Sequence, residues 1–228
     1  MNTAVELDAG LLKEFARLAR SLAALDVAAY REFARDPLQP VIGLGPADAR
    51  ICIMGRDPGR EEVRLGLPFV GEAGQLLRGG LHAHLHPGAA YSFEAGLEAG
   101  AGMFWTNTVP YKPVGNKAWG PGVQKRFQPL MARVLSRWQG IDVITLGNEA
   151  FFWFGIGQDV SVRKRLDECW EMGDARYEQS VEVLVEIGKQ TRPFRIHPLP
   201  HPSRANAIWC RRFPALLQKR LGTLLPKH

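Results

Sequence analysis

The sequence predicts an α/β fold: a three-layer sandwich in which a central, mostly parallel, four-stranded sheet is flanked by helices. Two observations predict it. Short apolar runs alternate along the chain with stretches of helical spacing, the order that builds a parallel sheet covered on both faces. Polar groups also lie at or just after the ends of four of those runs: Arg56-Asp57 after the first, Asn107 near the end of the second, Gly147-Asn148 at the third and His201 after the last. In open α/β sheets the ligand site lies beyond the carboxyl ends of the strands, so these positions are expected to converge.

The elements follow in order. Residues 11–25 carry apolar groups at helical spacing with basic residues between them, so a helix over 9–25 is expected to pack on a single domain spanning 1–228. After a Pro-broken connector, ARICIMG (49–55) reads as the first buried strand. Residues 72–81 read as a helix, and the Gly- and Ala-rich stretch 79–102 as a loop with one short helix. MFWTNTV (103–109) is a second strand, with β-branched and aromatic content. Val123, Phe127, Leu130, Val134 and Trp138 define a helix over 123–138 that Pro129 interrupts. IDVITLG (141–147) is a buried strand, VEVLVEI (181–187) alternates as a half-buried one, and FRIHPLP (194–200) is the last. The tail 207–224 is helical.

With 228 residues, 46% of them hydrophobic, the chain has enough apolar sequence for a sizeable core and does not read as disordered. It holds no apolar run long enough to span a membrane, and MNTAVELDAG lacks the order of a secretory signal, so a cytoplasmic protein is expected. Cys52, Cys169 and Cys210 are far apart and odd in number, which suits buried thiols better than a disulfide framework. Three thiols are too few for an all-cysteine iron–sulfur cluster, and no cofactor is expected. No metal site is expected either, since His82, His84 and His86 have no carboxylate or thiol nearby and read as a surface turn. The net charge of +6 is compatible with a polyanionic partner. Lys112 and Lys117, with Arg204, Arg211 and Arg212, flank two of the motifs below and sketch a phosphate footprint.

Four clusters carry chemistry. Gly55-Arg56-Asp57-Pro58-Gly59 forms a tight turn after the first strand that aims a carboxylate into the crevice, or else an ordinary turn whose Asp57 caps a helix. In LPFVGEAGQ (67–75), Phe69 is bracketed by proline and glycine and is either a rigid platform for a base or core. Asn107 closes the second strand. Its amide offers one acceptor and two donors, which match N3–H and O4 of uracil and mismatch cytosine; a loop-bracing asparagine is the other reading. His201 sits between Pro200 and Pro202 in a turn where Ser203 and a helix start could hold a phosphate.

Taken together, GRDPG, PFVGEAGQLL, TNTV, KPVGNK, TLGNEA and HPSRAN, in that order, resemble the uracil-DNA glycosylase superfamily. The likeness runs from about residue 40 to 220 and is greatest to the thermophile-type (family 4/5-like) branches with a PFVGxAGxLL segment. The resemblance implies a catalytic pair, Asp57 orienting water and steadying a sugar cation, and His201 stabilising the departing base. It implies uracil contacts from Gly55, Gly59, Phe69 and Asn107, and DNA contacts from Gln75, Lys112, Ser203, Arg204 and Asn206. The partner it implies is uracil-containing DNA, single- or double-stranded, with free uracil as product and the protein acting as a monomer near the nucleoid.

The chain also departs from that pattern. Thermophile-type members carry an iron–sulfur cluster whose cysteines fall, by register, at Tyr111 and Phe127 here. Their first motif reads GEAPG, whereas this chain has Arg56 at its second place and, like the GQDPY-type branch, an acid at Asp57. Gly59 replaces the GQDPY tyrosine that excludes thymine. Ala205 stands where a wedging leucine is expected, so Arg204, before Ile208 or Trp209, is the candidate to fill the vacated stack. A glycosylase for hypoxanthine or xanthine, and a non-catalytic binder of uracil-containing or abasic DNA, are the competing readings.

Overall fold

The computed structural model describes residues 4–203 and 207–226. Its first helix, α1 (Ala9–Ala19), starts where the Asp8 carboxylate accepts the Leu11 N–H at 2.8 Å. It ends well before residue 25, because the chain turns away to pair with a distant segment. Val114 N–H donates to Ala24 O, Asp26 N–H to Lys112 O, and Leu25 bridges Pro113. A second helix, α2 (Val27–Glu32), then begins with Asp26 as its cap.

The core alternates as anticipated: β1 (Ile51–Gly55), α3 (Arg60–Leu65), α4 (Glu72–Leu85), α5 (Phe93–Gly100), β2 (Phe104–Asn107), α6 (Pro121–Leu135), β3 (Asp142–Leu146), α7 (Asn148–Phe152) and α8 (Val160–Glu171). β4 (Val181–Ile187), β5 (Gln190–Leu199) and α9 (Ala207–Leu224) complete it. The sheet has the order β2-β1-β3-β5-β4 and so five strands rather than four. β2, β1, β3 and β5 run parallel, while β4 joins antiparallel to β5 through a tight turn at Gly188, whose φ is +63°. That hairpin lengthens β5 to start at Gln190, and β4 keeps the alternation of a strand with one wet face.

Residue parity in the strands sorts the core into two. Cys52, Met54, Phe104, Val143 and Ile196 face α1 and α6, where Phe15, Phe127, Met131 and Trp138 are buried. Ile51, Ile53, Trp105, Ile144 and Leu199 face the other way, onto Leu77, Leu81, Phe213 and Leu217 of α4 and α9. Both faces are therefore dry, as a parallel sheet requires. α6 runs through Pro129 without a break. The missing hydrogen bond costs about 3 kcal/mol. Phe127, Leu130, Met131 and Val134 are all buried around it, and each contributes about 1.5–3 kcal/mol. Burial wins.

The histidine stretch is likewise not a surface turn. It forms the last turns of α4, where His82 and His84 are buried and the His84 ring nitrogen lies 2.8 Å from Leu225 O. Among the described residues, no three His, Cys, Asp or Glu side chains cluster as metal ligands would. No helix of the described residues is long and apolar enough to cross a membrane.

Candidate active site

The chain passes from β1 to β2 on one side, then crosses β1 to reach β3 on the other, so the strand order reverses at β1. A crevice must open there at the carboxyl ends. It is a cavity of about 320 Å³, lined by Gly55, Asp57, Gly59, Phe69, Asn107, His201 and Ser203, together with residues the sequence did not point to.

Gly55 is the floor. A Cβ there would lie 2.7 Å from Phe69 Cζ and 2.8 Å from Asn107 Oδ1, so the ring and the amide converge above a position that only glycine permits. Asn107 is in register with Gly55 across β1 and β2 and is buried. Phe69 has φ +54°, a left-handed conformation that is costly for a bulky residue and must be held by its surroundings.

Arg78 is one of the groups that hold it. This buried guanidinium donates to Phe69 O at 2.7 Å, Pro68 O at 3.0 Å and Gly96 O at 3.3 Å, and stacks on the Trp105 ring. Burial lowers its pKa to about 10, which still leaves it charged at neutral pH. Gly74 is the second constraint, because a Cβ on it would fall 2.1 Å from the Phe69 carbonyl carbon. Gly74→Ala is expected to destabilise the protein by roughly 1–3 kcal/mol through overpacking. Urea unfolding would show this, and an unchanged midpoint would refute the contact.

Glu62 ties the two loops together. Its Oε1 accepts the N–H groups of Val70 (2.9 Å) and Gly71 (2.7 Å), and its Oε2 accepts that of Gly59 (3.0 Å). The acid, in the first turn of α3, thus clasps the Asp57 turn to the Phe69 loop.

Asp57 presents a side chain only 4% exposed, with Oδ1 at 2.9 Å from Arg56 Nε. Loss of hydration raises its pKa to about 6, opposed by the charge and contact of Arg56 and, more weakly, by Lys112, while Glu149 adds to the rise. Across the cavity, His201 is exposed at the wall beside Gly147, whose φ of +87° lets the turn after β3 approach His201 Cβ. Desolvation in the cleft, then the Arg56 cation, hold its imidazolium below the usual pKa, against a smaller pull from Glu149. The ring is therefore neutral at pH 7. Ser203 N–H donates to His201 O at 2.9 Å, closing the turn.

Two expected DNA contacts are placed otherwise. Lys112 is buried, its ammonium paired with Asp26 at 2.8 Å and donating to Pro113 O, where it braces the 112–113 segment rather than facing the surface. Gln75 lies outside the cavity, donating to Val70 O and accepting from Tyr91 Oη. Arg204, Asn206 and Ala205 lie outside the described residues. Trp209 packs edge-on against Tyr177 with Arg212 over its face, while Ile208 is exposed.

The places that the resemblance gives to cluster cysteines do not fit an iron–sulfur group. Tyr111 and Phe127 are fully buried rings 5.7 Å apart, Phe15 stacks on Phe127, and the Tyr111 hydroxyl donates to Leu38 O. The thiols lie on three separate elements: Cys52 in β1, Cys169 in α8 and Cys210 in α9.

Comparison with known proteins agrees with this geometry. A curated relative, the type-4 uracil-DNA glycosylase of Thermotoga maritima, is 30% identical over 124 residues, which cover 54% of this chain and 58% of that protein. The chain thus spans little more than half the length of that relative. The family model described as the uracil DNA glycosylase superfamily matches residues 42–225, the whole α/β core and the site with it, and the chain belongs to that superfamily.

Proposed function

We propose that the protein is a monofunctional DNA glycosylase that hydrolyses the bond between uracil and its deoxyribose in DNA, leaving an abasic site. The observation that carries this is one cavity lined by both Asp57 and His201, with Phe69 and Asn107 meeting above Gly55.

The base must first leave the stack, because the bond is out of reach inside a duplex. In the cavity, Phe69 offers a face for the extruded ring. The Asn107 amide accepts from N3–H and donates to O4, a pairing that cytosine, with an acceptor at N3 and a donor at N4, cannot reproduce. As the bond from C1′ to N1 breaks, positive charge grows on the sugar and negative charge on the base. The Asp57 carboxylate stabilises the first and orients the water that adds to C1′; a neutral His201 N–H donates to the oxygen of the second. Preorganised groups of this kind supply about 3 kcal/mol each. Ser203 and the residues after it supply contacts to the phosphates beside the flipped nucleotide. The chain's own residues are enough for this chemistry, and a monomer in the cytoplasm, working on nucleoid DNA, is the form expected.

The experiment is incubation with single- and double-stranded oligonucleotides carrying uracil, hypoxanthine or xanthine, in EDTA, followed by alkali. Breaks only at uracil support the proposal. Breaks at the purines instead, for which Gly59 leaves room, would replace the substrate while keeping the machinery. Tight binding without breaks would make the protein a non-catalytic binder.

The pH dependence has a definite sign. Asp57 must be ionised, and its pKa is about 6. The single-turnover rate is therefore expected to be level above about pH 7 and to fall about tenfold per pH unit below 6. A rate that holds steady down to pH 4.5 would mean that this carboxylate is not required.

A further inference from the structure

Arg56 is the residue of the first motif that the chemistry above leaves without a task, yet it is built into the site. Its Nε approaches Asp57 Oδ1 at 2.9 Å without the alignment of a hydrogen bond, so the attraction is principally one of charge. The other end of the guanidinium is anchored, its Nη2 donating to Asn116 O at 3.0 Å. Its backbone is fixed too, with Arg56 O accepting from Thr108 Oγ1 at 2.5 Å and from Val109 N–H at 3.2 Å. Arg56 is thus held at three points: at the carboxylate, at Asn116 and through its own carbonyl.

We propose that Arg56 is a positioning residue for base excision, a fixed counter-charge that keeps the Asp57 carboxylate ionised and directed into the cavity. The inference rests on the glycosylase reading for its consequence, but the pairing itself does not. Asp57 needs such a partner. It is buried beneath the turn, and the other acid acting on it, Glu149 of α7, opposes its ionisation. Lys112, the other cation that acts on it, already serves Asp26. Glu61, Glu62 and Glu72 add further acidic groups to the cavity wall, against Arg60. His201 opposite is held neutral, partly by Arg56 itself, and so supplies no positive charge. The same guanidinium therefore favours both protonation states that the reaction needs, a carboxylate on one wall and, in addition to burial, a neutral imidazole on the other.

The test is a carboxyl carbon NMR titration of Asp57 in the full chain without substrate, comparing wild type with Arg56→Met and Arg56→Lys. The midpoint is expected near pH 6 in the wild type, at least about one pH unit higher in Arg56→Met, and intermediate in Arg56→Lys. Removing the opposed charge should also raise the His201 midpoint in Arg56→Met. The acid limb of uracil excision should move with the Asp57 midpoint, so that Arg56→Met recovers rate at alkaline pH. Midpoints that do not move would overturn the proposal, as would a rate lowered by the same factor at every pH. If the midpoints shift but no variant, wild type included, releases uracil, the pairing stands and the glycosylase reading fails.

Discussion

Asp57→Asn is expected to yield a protein that is more stable than wild type and at least about 100-fold slower in releasing uracil. Both halves come from one fact, the burial of a charge. A carboxyl whose pKa rises from 3.8 to about 6 on folding penalises the folded state by roughly 3 kcal/mol at neutral pH. The sign is the reverse of the usual salt-bridged acid. Here the folded protein takes up a proton between pH 6 and 3.8 that the unfolded chain does not, so the penalty is complete above about 6 and gone below about 3.8. Asparagine keeps the shape and removes the charge. Arg56 then loses its counter-charge, which returns part of the gain, and the net is about 1–2 kcal/mol. For a chain of this length that raises Tm by several degrees. Thermal unfolding at pH 8 and at pH 4.5 checks it: the gain should be full at the first and cut to about a third or less at the second. A variant less stable than wild type at pH 8 would mean that Asp57 is held for structure.

Glu62→Ala is expected to have the opposite character, a large loss of stability from a residue that touches no scissile bond. Three backbone N–H groups, from Gly59, Val70 and Gly71, end on its two oxygens. Leaving a buried donor without an acceptor costs about 1–3 kcal/mol, and water can reach some of these positions, so about 3–5 kcal/mol is expected in all. That corresponds to a fall in Tm of about 10 °C. Because the clasp joins the Asp57 turn to the Phe69 loop, excision should fall as well. Glu62→Gln retains one acceptor and should lie between. Calorimetry on the three proteins decides the matter; a shift below about 2 °C for Glu62→Ala would show that the loops hold themselves.

These two residues illustrate what could be read from the sequence. The apolar runs at 49–55, 103–109 and 141–147 are local signals, and each became a parallel strand because alternate residues had a helix to pack against on both faces. Polar groups at the strand ends were legible for the same reason, and Asp57, Asn107 and His201 line one cavity. Partners distant in sequence were not. Lys112 looked like a phosphate contact because nothing near it showed that Asp26, far back in the chain, would bury it. Glu62 and Arg78 carried no expected role, although an acid just after an Asp-Pro-Gly segment and an arginine inside a helix with apolar Leu76, Leu77 and Leu81 were weak signals of their tasks. The helices α3 and α7, of six and five residues, are too short to show a periodicity of their own and are held by their neighbours.

The most direct measurement is single-turnover release of uracil from a single-stranded oligonucleotide with one uracil, by wild type and by His201→Ala. His201 is exposed at the cavity wall, so truncating it should leave Tm nearly unchanged and any loss of rate will belong to the chemistry. The wild type is expected to leave one alkali-labile break, and His201→Ala to form it at least tenfold more slowly. Equal rates for the two proteins, or an intact strand from the wild type, would contradict the account.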